Sequence, residues 1–419
     1  MKIVAATINK RKIINDPVHG FIKIPSDFIY DLLEHPFVQR LRRIKQLGLT
    51  SFVYPGATHT RFQHALGAVH LMYHAIDSLR QKGVTITDEE AESAYAAIML
   101  HDIGHGPFSH SLEESIITEI PHTELSKMLI EKLNAEFGGK LTMAADIFNN
   151  QYPKKFLHQL VSGQLDMDRM DYLMRDSFYT GVAEGIIGTE RIIKMLNVVD
   201  DQLVVESKGI YSIEKFLIAR RIMYWQVYFH KTVIAAENIL VKLLKHAKDI
   251  APSDPDLFCT RAFGFFLKNN INRENFYNDK NRAIENFISL DDEDITVSAK
   301  AWIKHRDKLL SLLSYNLTHR ILPRVRIQNE PVDEVSVSRL KDEVKDKYRL
   351  DDHQAGFLVF TGTISNKAYS GQTETIKILY KDGGIKDLAD ASDIFGTSTL
   401  TENINKYFLC HPKEYGLNY

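Results

Sequence analysis

Apolar residues along this chain recur mostly at helical spacing. After Ser26 they fall at Phe28, Ile29, Leu32 and Leu33, then at Phe37, Leu41 and Ile44. Pro36 suits the first turn of the second of these helices, and Gly48 its end. Tyr54-Pro55-Gly56 marks a turn, and Thr60 stands where a helix would be capped. Leu66, Val69 and Met72 give that helix an apolar face as far as Gly83. A further helix is predicted over Asp88–Leu100, and Ser111 with Glu114 three positions on resembles a capping box for the helix that follows. Short helices are expected over 146–181. One long helix is expected over 212–249, where Arg220, Arg221, His230 and Lys231 punctuate an apolar run. Ala-Pro-Ser-Asp-Pro at 251–255 breaks the pattern, and 258–320 is helical again. Beyond Pro323 the texture changes. VRIQ, FLVFTGTI and TIKILY read as strands around a charged helix at 337–348, and Asp382-Gly383-Gly384 reads as a hairpin-type turn. The opening INDPVHGFIKIP alternates around Asp16-Pro17 and Gly20, as a short hairpin or an extended arm does. There is no fixed-period repeat and no low-complexity run.

These patterns predict a mainly α protein: a helical part over 1–250, a helical extension over 251–322 and a small α+β region over 323–419. With 419 residues, 44% of them hydrophobic and 25% charged, the chain can bury a large core. A net charge of −2 supplies no global field for nucleic acid or membrane. Only Cys259 and Cys410 are present, which excludes a disulfide framework and a thiolate metal site. No apolar run approaches the ~18 residues of a membrane span, and that of the first twelve residues is too short for a secretory leader. A cytoplasmic protein is expected.

Candidate chemistry concentrates at 96–110, AAIMLHDIGHGPFSH. An apolar helix ends in His101-Asp102, two metal-ligand types side by side. Gly104, Gly106 and Pro107 then stop it, with His105 and His110 close behind. Alone, a His-Asp pair is more often an ordinary hydrogen bond, and a metal needs further ligands. His64 lies upstream in RFQH. Downstream, LDMDRMDYLMRD offers Asp166, Asp168, Asp171 and Asp176, with Asp168, Tyr172 and Asp176 at four-residue intervals on one helix face. Its ordinary reading is a charged helix with a Leu/Met core stripe.

Taken together, HDIGHGPFSH, RFQH and DMDRMDYLMRD resemble the HD-domain phosphohydrolases, and most closely their deoxynucleoside triphosphate triphosphohydrolases. INDPVHG and FVQRLRRIKQLG are similar to the branch that includes the vertebrate enzyme joining a sterile-alpha-motif domain to an HD domain; the chain shows no sterile-alpha-motif segment and begins at the catalytic part. The resemblance spans roughly 13–250. It implies an HD-domain helical core in which His64, His101, Asp102 and Asp168 hold one divalent metal ion per subunit. That donor set, two imidazoles and two carboxylates, suits Mn, Fe, Mg, Ni or Zn. The implied reaction is attack of water on the α-phosphorus of a dNTP, giving deoxynucleoside and triphosphate. His110 is then the proton donor to the leaving 5′-oxygen, and His105, His122 and Glu113 position or relay, Glu113 standing where the vertebrate enzyme has a shorter carboxylate. Arg61, Lys231 and His230 match phosphate contacts. Gln46, Tyr172 and Asp176 match a sugar pocket in which a tyrosine beneath C2′ excludes a ribose hydroxyl. Asn15, Glu34, Gln39 and Arg42 fall at positions resembling an allosteric guanine-nucleotide site, with Glu34 in place of an aspartate. GTP or dGTP is therefore an expected activator, and a homodimer or homotetramer the expected assembly. Two other readings stand beside this one: an HD phosphohydrolase acting on another nucleotide, such as a nucleoside monophosphate, and a nucleotide-binding regulator without turnover.

Overall fold

The computed structural model describes residues 12–413 apart from 109, 114, 118, 270, 368–374 and 394–402. The fold is mainly helical. Its spine is the Arg61–Gln81 helix, packed against Asp88–Leu100 on one side and Met167–Thr180 on another. Thr60 and Gln63 form a capping box at the start of the spine, with the Thr60 N–H donating to Gln63 Oε1 at 2.8 Å. Gly83 leaves it in the left-handed region at φ +86°. Thr87 and Glu90 cap the Asp88–Leu100 helix in the same way. The buried Glu90 also accepts from Tyr152 and Lys154, which anchors the 150–155 segment to that helix.

Four expectations are corrected. Pro36 does open a helix, but it lasts one turn, Pro36–Gln39, and tightens into a 3-10 turn at Arg40–Arg43. Ile44 is extended and Lys45 bridges Thr60, which draws the chain out of the helix before Gly48, and Gly48 instead opens another 3-10 turn. Glu114 lies outside the described residues, and Ser111 does not stand ahead of a helix. It lies inside the short His110–Glu113 helix, and the next long helix, His122–Glu136, starts after Pro121. The run at 212–249 is two helices, Ile210–Met223 and Lys231–Ile250, separated by a π turn at Tyr224–Tyr228. There the Tyr228 hydroxyl reaches Asp176 at 2.6 Å, a tertiary contact that outweighs continuation of the helix, and His230 Nδ1 caps the restart by accepting from the Thr232 N–H. Finally, FLVFTGTI enters a strand only at Phe360.

Nine strands are described. The opening segment is a hairpin of β1 (Ile13–Asp16) and β2 (Gly20–Lys23). A hairpin absent from the pattern reading, β3 (Leu196–Val199) with β4 (Gln202–Glu206), precedes β5 (Arg324–Gln328), β6 (Phe360–Lys367), β7 (Lys377–Leu379), β8 (Ile385–Asp387) and β9 (Asn403–His411). β7 pairs in parallel with β4, Val205 opposite Ile378, so one four-stranded sheet joins distant parts of the chain. β9 lies between β5 and β6 in an antiparallel C-terminal sheet. The turn at Asp382-Gly383-Gly384 joins β7 to β8, with Gly383 at φ +86°. One apolar cluster runs through all these layers, from Ile22 to Cys410. Among the described residues no helix is long and apolar enough to cross a membrane.

Trp302, 1% exposed, packs near Phe263 and donates from its indole N–H to the Phe258 carbonyl at 2.8 Å. Trp302→Ala is expected to lower unfolding free energy by about 3–5 kcal/mol, read as a lower urea midpoint at unchanged slope. A loss below about 1 kcal/mol would show that the 258–302 region contributes little to the common core.

Candidate metal centre

Side chains from three helices meet, with His64, His101 and Asp168 in one cluster able to hold a metal ion and Asp102 beside it. His64 comes from the first turns of the spine helix, His101 and Asp102 from the end of Asp88–Leu100, and Asp168 from the first turn of Met167–Thr180. His64 Nε2 lies 3.4 Å from His101 Nε2 and 3.1 Å from Asp168 Oδ1, and His101 Nε2 lies 3.4 Å from the same Asp168 oxygen. Donors about 2.0–2.2 Å from a shared cation stand roughly this far apart. Asp102 Oδ1 lies 3.3 Å from His101 Nε2, while Asp102 Oδ2 is 3.9 Å from His64 Nε2 and is paired with Arg61.

The far side of each imidazole is committed. His101 Nδ1 meets the Ile98 carbonyl at 2.6 Å, and since a carbonyl only accepts, that nitrogen carries the proton. His64 Nδ1 meets Asp171 Oδ2 at 2.8 Å in the same way. Both Nε2 atoms therefore face the common point, the arrangement that orients histidine towards a metal. The donor set fits a divalent cation. Burial works against ionising Asp168, but His101 and His64 hold its carboxyl well below the usual range. Asp102 is lowered likewise by His101 and Arg61.

Behind this layer is a buried network, of which the sequence pattern offers Asp171 only as one of four aspartates and the other members not as site residues at all. Asp171 accepts from His64, from His19 Nε2 at 2.6 Å and from Arg175 Nε at 2.9 Å. Arg175 also donates to Asp16 Oδ2 at 2.8 Å, and Asp16 Oδ1 accepts the backbone N–H groups of Val18 and His19. Burial opposes the charge on Asp171, yet Arg175, His19 and His64 keep it ionised well below the ordinary carboxylate pKa. In the sequence, INDPVHG offers Asp16-Pro17 and Gly20 only as turn residues and does not single out His19. Gly67 on the spine makes room: a Cβ there would lie 1.9 Å from Asp171 Oδ1 and 2.4 Å from an Arg175 nitrogen.

On the other side of the centre, His105 Nε2 approaches Asp102 at 3.4 Å, and its ring stacks on His122 with centroids 3.9 Å apart. His122 Nδ1 donates to Glu113 Oε1 at 3.0 Å. Burial, and then Arg61, push the His105 imidazole down to about 3, so it is neutral at pH 7. The side chain of His110 lies outside the described residues.

Of the sugar-pocket candidates, Tyr172 and Asp176 both meet Tyr228, and the Gln46 N–H donates to the carbonyl of His59, whose ring pairs with Asp176. Asp176 is buried with both oxygens engaged, by His59 Nε2 at 2.8 Å and the Tyr228 hydroxyl at 2.6 Å. Tyr172 and Tyr228 meet edge to face. Burial drives the Tyr172 phenol well up, Tyr224 adds to it, and Arg169 and Arg220 pull the other way, so two cations not singled out for this pocket flank it. Gln46 Oε1 is buried without a hydrogen-bond partner among the described residues, an acceptor that a bound donor would satisfy.

Lys231 lines a separate cavity of about 210 Å³ with Arg320, Arg324 and Lys413, and His230 caps the helix beside it. Gln39 Oε1 accepts from Arg42 Nε at 2.8 Å, and the Arg42 guanidinium sits 3.6 Å over the Phe62 ring. Asn15 and Glu34 are exposed.

Residues 61–175 match the HD domain family, and residues 187–258 match the HD associated region. An uncharacterized protein of Bacillus subtilis (strain 168) is 32% identical over 401 residues, covering 92% of this chain and 89% of its own length. The chain belongs to the HD-domain family. It is an HD superfamily phosphohydrolase of the group that carries the HD associated region. The solved phosphohydrolase of Bacteroides thetaiotaomicron VPI-5482 is 53% identical, with a TM-score of 0.93 over 96% of this chain and 100% of that one. The Dictyostelium discoideum homolog of the deoxynucleoside triphosphate triphosphohydrolase SAMHD1 is 33% identical over 56% of this chain, and human SAMHD1 27% identical over 59%. Those matches span 49% and 46%, about half, of the two relatives.

Two outcomes are expected. Asp171→Asn removes the charge that orients His64 and is expected to weaken divalent-metal affinity about 10–100-fold, measured by competition with a chromogenic chelator; unchanged affinity would detach Asp171 from the centre. Without a cation, burial opposes a charge on His64, but hydrogen bonds to Asp168 and Asp171 overcome it and push the imidazole up to about 10. A proton and a cation then compete for Nε2. Metal binding at pH 7 is expected to release about one proton and to tighten as pH rises. Calorimetry in two buffers of unlike ionisation heat reads this, and identical heats would contradict it.

Proposed function

We propose that this protein is a metal-dependent dNTP triphosphohydrolase that converts dNTP and water to deoxynucleoside and triphosphate. The observation that carries the reading is the meeting of His64, His101, Asp102 and Asp168 with Arg61 on one side and the Tyr172, Gln46 and Asp176 neighbourhood close by. The names of the SAMHD1 relatives support the substrate class. When bound by the four ligands, a divalent cation supplies Lewis-acid stabilisation of charge on a phosphoryl oxygen and activates water. Arg61 adds a fixed positive charge for a phosphate oxygen. Water joins the α-phosphorus, the bond to the 5′-oxygen breaks, and that oxygen takes a proton from His110. Neutral His105 and Glu113-oriented His122 relay protons behind it. Tyr172 packs beneath the deoxyribose and excludes a 2′-hydroxyl, while Gln46 and Asp176 hold the 3′-hydroxyl, Asp176 through exchange of one of its present donors.

The same proposal takes the catalytic part as 1–250, followed by a helical extension at 251–322 and an α+β region at 323–419. It takes GTP or dGTP as an activator at Asn15, Glu34, Gln39 and Arg42, and a homodimer or homotetramer as the working form.

The deciding experiment is product analysis across the four dNTPs in Mn, Fe, Mg, Ni and Zn, with and without GTP or dGTP. Deoxynucleoside with intact triphosphate is expected; monophosphate with pyrophosphate would overturn the stated bond cleavage. Tyr172→Ala is expected to narrow the dNTP-over-NTP preference at least about tenfold in kcat/KM, and an unchanged ratio removes Tyr172 from sugar selection.

A further inference from the structure

We propose that Asp292 is a positioning residue for the catalytic loop, tying the stretch after His101-Asp102 to the segment that carries Gln46. The proposal rests on the reading of His105 and Glu113 as part of the reactive centre.

Three consecutive residues at the start of the Asp292–Trp302 helix, Leu290 to Asp292, grip two segments of the site. The Leu290 carbonyl accepts from Arg40 Nε at 2.7 Å, and Asp291 Oδ2 accepts from Arg43 Nε at 2.5 Å. Asp292 then spans both halves with one carboxylate: Oδ2 accepts from the Lys45 N–H at 3.0 Å, and Oδ1 from the Phe108 N–H at 2.8 Å. Arg40 Nη1 reaches the Ile103 carbonyl at 3.4 Å, a second tie to the same loop.

Each end of that bridge aims site residues. Beside Lys45, the Gln46 N–H donates to the His59 carbonyl and the Arg61 N–H to the Ile44 carbonyl, so this short stretch registers Gln46, His59 and Arg61 together. At the other end, Phe108 stands at φ +50°, a backbone region that bulky residues seldom occupy. Such a conformation persists only where its surroundings over-determine it. The Asp292 bond to the Phe108 N–H is one constraint, and the Ser111 N–H donating to the Phe108 carbonyl is the next. Phe108 is thus the corner between His105 and the short helix that bears Glu113, the partner of His122.

Capping does not account for Asp292. Asp291 already caps the Asp292–Trp302 helix, accepting from the Glu293 N–H, and Asp294 closes the box by accepting from the Asp291 N–H. Nor is the site comfortable for a carboxylate. Asp292 is 5% exposed, and burial raises its pKa to about 6 against two backbone N–H groups and Lys45. A carboxylate, unlike an amide, offers two accepting oxygens at once, which two N–H donors on opposite sides require.

The experiment compares Asp292→Asn, which keeps shape but sets an NH2 against one of the two donors, with Asp294→Ala, which weakens the same helix start and leaves the bridge intact. For Asp292→Asn, kcat on dNTP is expected to fall about 10–100-fold with KM within about threefold, and deuterium uptake at 103–108 to quicken. Asp294→Ala is expected to keep kcat within about twofold and uptake unchanged at a similar loss of melting temperature. Equal losses of kcat in the two variants, or Asp292→Asn at parental kcat and uptake, would overturn the positioning role. If the parent protein hydrolyses no dNTP, the triphosphohydrolase reading fails by itself. Deuterium uptake then still decides: quickening at 103–108 confined to Asp292→Asn supports the bridge, and its absence sinks it.

Discussion

The candidate centre depends on how one buried carboxylate, Asp171, is shared. Three hydrogen-bond donors, His64, His19 and Arg175, converge on its two oxygens. A buried charge without such partners would be costly enough to neutralise itself. With them, Asp171 stays ionised and fixes which nitrogen of His64 faces the common point. Because Arg175 also grips Asp16, the N-terminal hairpin, the spine helix and the Met167–Thr180 helix are locked into one arrangement by a single chain of charge-assisted bonds. Such bonds are directional, so they set geometry more sharply than the surrounding apolar contacts do.

Small residues make that arrangement possible. Gly67 leaves the volume that Asp171 and Arg175 fill. Gly104 is similar: a Cβ there would come within 2.4 Å of the Ser126 backbone nitrogen, and the Ser126 hydroxyl accepts from the Gly104 N–H while donating to the His101 carbonyl. The His122–Glu136 helix is thereby seated directly on the turn that carries two candidate ligands. Tight backbone approach at the turn and a full hydrogen-bond account behind it are two aspects of one requirement, since a loop bearing ligands has to be held within a few tenths of an ångström to hold a cation well.

Much of this was legible in the residues. The Asp88–Leu100 helix, the start of the spine at Thr60, Pro36 in a first helical turn and the hairpin turn at Gly383 follow from capping, proline and glycine chemistry that acts within four residues. The hairpin of β3 and β4 turns locally at Asp200-Asp201, both at positive φ. Two other errors share a cause: the π turn at Tyr224–Tyr228 and the early end of the helix after Pro36 are set by partners outside the local window, Asp176 for Tyr228 and Thr60 for Lys45. Local periodicity carries no information about such partners. His19, His59 and Arg175 went unassigned for the same reason, because each acts on a residue more than a hundred positions distant or on one whose own role was open.

The sequence by itself determined the chemistry available: imidazole and carboxylate without thiolate, delivered at the ends of amphipathic helices, with glycine and proline where the chain has to turn. It could not divide the labour among the four aspartates of LDMDRMDYLMRD. The tertiary structure decided that. Asp166 caps its helix through the Arg169 N–H, Asp168 faces His64 and His101, Asp171 stands behind His64, and Asp176 turns to His59 and Tyr228. A helix turns by about 100° per residue, so neighbouring carboxylates point to different surroundings. Only the packing of the other helices settles which of those surroundings is a ligand cluster, an arginine or a tyrosine.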